Sequence, residues 1–159
     1  DLSWRRPAPW CGPQRLLRIN LDDAADIREV APFGIAGGGI IAPPVHVPGD
    51  GSTAGRAIAW DSINGGLAGI DDRTMEPVWH LEVRPSMQPV VFPESGELVV
   101  NDFTDDGEDD LVVVDVATGS LLDRVGTGSR IANGMFLSAG GHRDIWYCTT
   151  LALSHITWS

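Results

Sequence analysis

The densest group of side chains able to bind a cation lies in the segment NDFTDDGEDD, residues 101–110. Calcium takes about six to eight oxygen ligands, and an acidic loop can supply several of them. The spacing does not follow the alternating D-x-D-x-D-G pattern of an EF-hand, and adjacent carboxylates point in diverging directions. We therefore interpret the segment as a solvated acidic loop. The alternative is a calcium site, for which the candidate ligands are Asp102, Asp105, Asp106 and Asp109.

The histidines and potential nucleophiles show no catalytic pattern. The four histidines, His46, His80, His142 and His155, fall in different segments, and none has the HxH or HExxH spacing of a metal site. No GxSxG nucleophile motif occurs either. The sequence thus predicts no catalytic residue and no cofactor other than the alternative calcium ion.

Net charge limits the classes of partner. The formal charge is −11, and all 11 basic residues are arginine, which we interpret as GC-rich bacterial coding. Nucleic-acid binding needs clustered basic residues, and an acidic chain is also repelled by anionic lipid, so we predict neither partner. No apolar run approaches the roughly 18 residues of a membrane span.

The pairing of Cys11 with Cys148 stays open, as does the choice between a bacterial cytoplasm and an extracytoplasmic location.

The segments that must position these side chains repeat along the chain. LVVVDVATGSLLDRV, residues 111–125, has the order of an apolar strand, an aspartate, a turn with threonine and a returning strand. LAGIDDRTMEPVWHLEV, residues 67–83, has the same order at an offset of 44. A weaker copy, residues 16–30, carries Asn20 at the aspartate position. Aspartate side chains at such positions accept backbone N–H bonds, so we predict that they end the strands and fix the turns.

Strands that precede these hairpins recur with the same period, which varies between 41 and 46 residues. Four short antiparallel strands in a unit of 40 to 50 residues are typical of a β-propeller blade. The sequence therefore predicts an all-β fold of about three four-stranded blades, an incomplete propeller, in one domain of residues 1–159. The blade parts are residues 15–31, 41–83, 88–125 and 133–158, after an N-terminal extension of residues 1–14. The predicted strands are 15–21 and 26–31, then 41–47, 56–62, 66–71 and 77–83, then 88–93, 97–103, 110–116 and 120–125, and finally 133–138, 143–149 and 151–158.

The two best hairpins resemble quinoprotein-like propellers, whose blades carry a strand, the turn Asp-x-x-Thr-Gly and often a tryptophan on the returning strand. Asp115, Thr118 and Gly119 match that turn fully. Residues 71–74 match it without the glycine, and Trp79 supplies the aromatic residue. The resemblance implies propeller architecture over residues 15–158. Members that use pyrroloquinoline quinone also have adjacent cysteines, which this chain lacks, so the cofactor is not implied.

In a propeller, the innermost strand of each blade lines a central channel. Loops from neighbouring blades form a rim at its end, where we expect Asp61, Asn64 and Asp102. The candidate axial ligand-binding residues are His46, Gln88, Asn101 and Asn133. Strand termination, turn formation and ordinary packing are the alternative roles for all of them.

Two functions stay open at this point. The first is a non-catalytic scaffold that binds a ligand or a protein. The second is a fragment of a propeller enzyme, hydrolase or oxidoreductase, with an axial metal or cofactor. Because the strand pattern is that of an open stack of blades, we also expect either a homodimer that covers the end faces or a longer chain.

Overall fold

A computed structural model describes residues 12–37, 44–49, 54–129 and 136–159. These residues form thirteen β-strands and no helix, which confirms the predicted all-β fold. Each predicted strand has a counterpart in the structure. Residues 41–43 and 133–135 of two predicted strands, and residues 1–11 of the predicted extension, lie outside the described residues. The strands are β1 (Leu16–Ile19), β2 (Ile27–Val30), β3 (Val45–Val47), β4 (Arg56–Trp60), β5 (Leu67–Asp71), β6 (Pro77–Leu81), β7 (Val90–Phe92), β8 (Glu97–Phe103), β9 (Asp109–Asp115), β10 (Leu121–Ser129), β11 (Phe136–Gly141), β12 (Asp144–Cys148) and β13 (Leu153–Thr157).

The strands form four antiparallel sheets in which chain neighbours pair. Sheet 1 contains β1 and β2, sheet 2 contains β3 to β6, sheet 3 contains β7 to β10, and sheet 4 contains β11 to β13. The strand β10 continues past the predicted end at residue 125 to Ser129. A register shift between Gly126 and Ser129 accompanies this extension, so β10 carries a bulge opposite β9.

The turns after β5 and β9 have the same hydrogen bonds at an offset of 44 residues. The Asp71 carboxylate accepts the N–H of Thr74 at 2.9 Å, and the Asp115 carboxylate accepts the N–H of Thr118 at 2.7 Å. The N–H of Met75 donates to the Asp71 carbonyl as that of Gly119 donates to the Asp115 carbonyl. The prediction that both aspartates end strands and fix turns is confirmed.

The sheets stack in chain order because alternate residues of each strand face opposite sides. Ile58 and Leu67 of sheet 2 pack in one cluster with Leu98 and Val112 of sheet 3. The opposite face of sheet 3 packs against sheet 4 through a second cluster, which includes Tyr147. The core therefore consists of separate apolar layers between consecutive sheets.

Sheet 1 joins the stack in the same way. Leu16 and Val30 pack against the layer formed by Ala68 and Ile70 of sheet 2.

Within the described ranges, no helix has the length and apolar character needed to cross a membrane. Cys148, at the end of β12, is a free thiol, and Cys11 lies outside the described residues.

Trp79 links sheet 2 to the turn of sheet 3. Its indole N–H donates to the carbonyl of Val116 at 2.9 Å. A Cβ atom on Gly69 would lie 2.2 Å from the indole ring, and one on Gly119 would lie 2.6 Å from it. The ring thus occupies a slot between two glycines, one in its own sheet and one in the next.

Candidate binding cleft

A cleft of about 540 Å³ opens where loops of the first three sheets meet. The connection from β2 to β3 supplies Phe33, and the loop from β4 to β5 supplies Asn64. The end of β6 and the connection that follows it supply residues 80 and 82–84. The end of β8 and the loop after it supply residues 102–105. We refer to this space, lined by residues 33, 35, 64–65, 80, 82–84 and 102–105, as the loop cleft.

The wall of the loop cleft is held from inside by Asn101, which is fully buried. Its side-chain oxygen accepts the N–H groups of Ser86 and Met87, each at 3.0 Å. Its side-chain amide donates to the Ser86 hydroxyl at 2.9 Å and to the Asp109 carboxylate at 3.0 Å. Asn101 therefore fixes the connection between β6 and β7 to the end of β8.

The carboxylates of Asp61 and Asp102 also accept hydrogen bonds from the backbone of the loops. The Asp61 carboxylate accepts the N–H groups of Ile63 and Asn64, at 2.9 and 3.1 Å, and so shapes the loop after β4. The Asp102 carboxylate accepts the N–H of Arg84 at 2.7 Å and a guanidinium N–H of Arg124 at 2.7 Å. Asp102 is thus buried and paired with a cation, as buried charges in proteins usually are.

The open surface of the loop cleft carries alternate residues of the segment HLEVR, residues 80–84. His80, Glu82 and Arg84 are exposed, and Val83 between them is buried. Arg84 forms an ion pair with Asp105 across the cleft, and the ring of Phe33 meets the His80 ring edge-on with centroids 5.7 Å apart. The surface is polar and has more carboxylates than cations.

The structure does not gather the four candidate calcium ligands around one point. Asp102 and Asp109 lie on opposite faces of sheet 3, since their bonding partners lie on opposite sides of it. Asp105 pairs with Arg84. Hydrogen bonds from Thr104 and from the Glu108 backbone lower the pKa of Asp106, which is exposed. Across the described part of the chain, no group of three or more His, Cys, Asp or Glu side chains is arranged to hold a metal ion.

Asp109 belongs to a buried polar network between sheets 3 and 4. Its carboxylate accepts the hydroxyl of Tyr147 at 2.7 Å as well as the amide of Asn101. Burial raises the pKa of the Asp109 carboxyl, although both hydrogen bonds act in the opposite direction. Burial and the bond to Asp109 raise the pKa of Tyr147 to about 12. The network joins two sheets, and its members are not exposed to a ligand.

The described candidate axial residues lie in different surroundings. The His46 imidazole lies 3.0 Å from the Asp72 carboxylate and is exposed, whereas Asn101 is bonded within the loop framework. Gln88 is exposed in the segment before β7. Asn133 lies outside the described residues. Of the predicted set, the structure therefore gives a defined role only to Asn101, in positioning the loop.

Sequence analysis missed the arginines and the residues of the segment after β6. Arg124 contacts both Asp102 and Asp110, at 2.7 and 2.9 Å, and Arg84 contacts Asp105. These pairs are 14 to 22 residues apart. They follow from the register of β8, β9 and β10 and from the folding of the loops, neither of which the sequence displays. The alternation of polar and apolar residues over 80–84 was a usable signal, because it predicts one exposed polar row on an extended segment.

Comparison with protein-family models found no match, and comparison with curated proteins found no significant match.

Proposed function

We propose that this protein is a non-catalytic binding module of β-propeller type, whose loop cleft binds a protein segment carrying a basic side chain. Support for the architecture comes from four antiparallel sheets with chain-neighbour pairing, stacked through apolar layers. The resemblance of the turns to quinoprotein-like repeats supports the same proposal.

The binding proposal depends on one observation: buried polar residues hold the loops of the loop cleft, and other polar residues are exposed on its surface. Asn101, Asp61 and Asp102 are buried, and their side chains are bonded to loop backbone. Because these bonds hold the loops in place, little entropy has to be lost when a partner binds. His80 and Glu82 project from this rigid frame and are exposed.

The charges in the loop cleft favour a cationic partner. Asp102 is balanced by Arg124 and Asp105 by Arg84, but Glu82 adds a further exposed carboxylate. The chain as a whole has a formal charge of −11, which attracts basic partners over long range. Phe33 beside this surface can pack against the alkyl part of a lysine or arginine.

Fluorescence anisotropy with labelled peptide pools tests the proposal. One pool would contain a fixed arginine and lysine pair among randomised positions, and the matched pool would contain two glutamates instead. We expect only the basic pool to bind, and Glu82→Gln to weaken binding by about fivefold, which is the effect of one partly exposed charge contact. Glu94→Gln makes the same charge change at an exposed site in the turn before β8 and should leave binding unaltered.

Three results would contradict the proposal. The first is equal binding of both pools, which would mean that charge does not select the partner. The second is an equal loss with Glu82→Gln and Glu94→Gln, which would indicate only the net charge. The third is an absence of binding by the basic pool at low ionic strength, where charge attraction is strongest.

A further inference from the structure

Both ends of the stack of sheets present an apolar face to solvent. On sheet 1 the outward row contains Leu17, Ile19 and Ile27, which are 53%, 54% and 53% exposed. We call this row the first outer face. On sheet 4 the outward row contains Phe136, Trp146 and Leu153, which are 63%, 40% and 65% exposed, and we call it the last outer face.

The first outer face repeats positions that are buried inside the stack. With Asn20 aligned to Asp71 and Asp115, Ile19 corresponds to Ile70 and Val114. Both of those residues are fully buried, and each lies on the side of its sheet that packs against the preceding sheet. Sheet 1 therefore presents the kind of face that packs against a preceding sheet.

The last outer face is of the opposite kind, because it resembles the faces that pack against a following sheet. Leu153 pairs with Cys148 at the end of β12, as Leu67 pairs with Trp60 at the end of β4. Leu153 therefore corresponds to Leu67 and, through the offset of 44 residues, to Leu111. Leu67 packs against sheet 3 and Leu111 against sheet 4, so both lie on the side that meets the following sheet. Trp146 lies in the same outward row, since the register pairs Cys148 with Leu153 and Trp146 with His155.

We propose that the last outer face of one copy of this chain packs against the first outer face of a second copy, head to tail. The contact continues the stacking already present between sheets 2 and 3 and between sheets 3 and 4. Because every copy has one face of each kind, a closed dimer is the smallest assembly that covers all of them. This inference rests on the stacking of the sheets and is independent of the loop cleft.

One carboxylate beside each face is already bonded within the chain, which limits the cost of burying it. Glu29 of sheet 1 pairs with Arg15 at 2.8 Å. On sheet 4, the Asp144 carboxylate lies 2.6 Å from the His155 imidazole, whose ring stacks on Trp146 with centroids 4.4 Å apart. The carboxylates of Glu29 and Asp144 thus each have a bonding partner within the chain.

Light scattering coupled to size-exclusion chromatography at micromolar concentration tests the proposal on the full chain. We expect a particle of about twice the 17.0 kDa chain mass. Ile19→Glu should give a monomer because it blocks every first outer face, and Trp146→Glu should do so because it blocks every last outer face. A mixture of the two variants should recover a dimer, since each heterodimer retains one intact pair of faces.

The control is Leu122→Glu, which makes a similar change on β10 at a side chain that is 52% exposed and belongs to neither outer face. It should remain dimeric. Circular dichroism should show that all variants keep the β-sheet spectrum, because the substituted side chains are at least 40% exposed.

Several outcomes would overturn the proposal. A monomeric wild-type chain would mean that the faces are covered by something other than a second copy, such as further sheets of a longer protein. Dissociation by only one of the two face variants would indicate an interface between like faces. Monomers in the mixture, dissociation by Leu122→Glu, or loss of the β-sheet spectrum in a face variant alone would each contradict the head-to-tail arrangement.

Discussion

Replacing Gly119 with alanine should destabilise the protein more than the same replacement at Gly96. Both glycines have positive φ, +74° and +69°, so an alanine at either position must adopt the left-handed conformation. That conformation costs an L-residue about 1–2 kcal/mol, and the smaller entropy of the unfolded alanine chain offsets about 0.4–1 kcal/mol of it. Gly96 has open space around its Cβ position, so about 1 kcal/mol is the whole effect expected there.

At Gly119 a second cost is added. The new Cβ atom would lie 2.6 Å from the indole ring of Trp79, and the ring is held on its other side by the backbone of Gly69. Since the ring cannot move without losing its hydrogen bond to Val116, the strain should resemble that of overpacking a core, about 1–3 kcal/mol. The total expected for Gly119→Ala is therefore about 2–4 kcal/mol.

Equilibrium unfolding in urea, followed by circular dichroism at one fixed protein concentration, measures both values. A double-mutant cycle with Trp79→Ala then isolates the contact. In the Trp79→Ala background, Gly119→Ala should cost no more than Gly96→Ala does in the wild type, which corresponds to a coupling of about 1–3 kcal/mol. Equal losses for the two glycine variants, or a coupling near zero, would refute the view that Trp79 connects sheet 2 to the turn of sheet 3.

Three further predictions concern the turns, the acidic loop and pH. Asp71→Ala and Asp115→Ala should each lower the urea midpoint, by less than Gly119→Ala, because each removes the acceptor of turn N–H bonds; unchanged midpoints would contradict the repeat assignment. Calorimetry with millimolar calcium should show no saturable heat, since the described carboxylates of residues 101–110 are not arranged around one point. A melting temperature that rises by several degrees with calcium would establish an ion site instead. Burial opposes ionisation of Glu97, but hydrogen bonds from Ser95, Arg143 and Trp158 have the larger effect and lower its pKa below 4.5. The ionised Glu97 therefore stabilises the folded state above pH 4.5, and this stabilisation is lost as the pH falls through the lowered pKa. Glu97→Gln should therefore reduce the free energy of unfolding at pH 7, and the difference from wild type should shrink in acid; a difference that does not change with pH would contradict this role.

The number of strands and their turns could be predicted because they depend on local chemistry. Alternating or continuous apolar runs that end in aspartate encode a strand and its turn within about ten residues, and the turns after Asp71 and Asp115 have the predicted bonds. The end of β10 was missed because its extension depends on a bulge opposite β9, and a bulge is a property of two paired strands.

The roles of the polar residues could be predicted only in part. Asn101 was among the candidates because a propeller would place it near the rim of the central channel. Its role in holding residues 86 and 87 depends on the connection between β6 and β7, which folds back over β8. The acidic segment 101–110 looked like one cluster in sequence. Strand alternation and the register with Arg124 divide it between two faces of sheet 3.

The sequence by itself determined that the described part of the chain is all-β, where its thirteen strands lie to within a few residues and which residues fix the turns after β5 and β9. Each of these features follows from neighbouring residues. Tertiary structure alone decided which equivalent residues are buried. Ile19 and Ile70 occupy the same place in the repeat, yet Ile70 is fully buried and Ile19 is 54% exposed. The difference arises because a sheet face is buried only when another sheet packs on it, and Ile19 lies on the outward face of the first sheet in the stack.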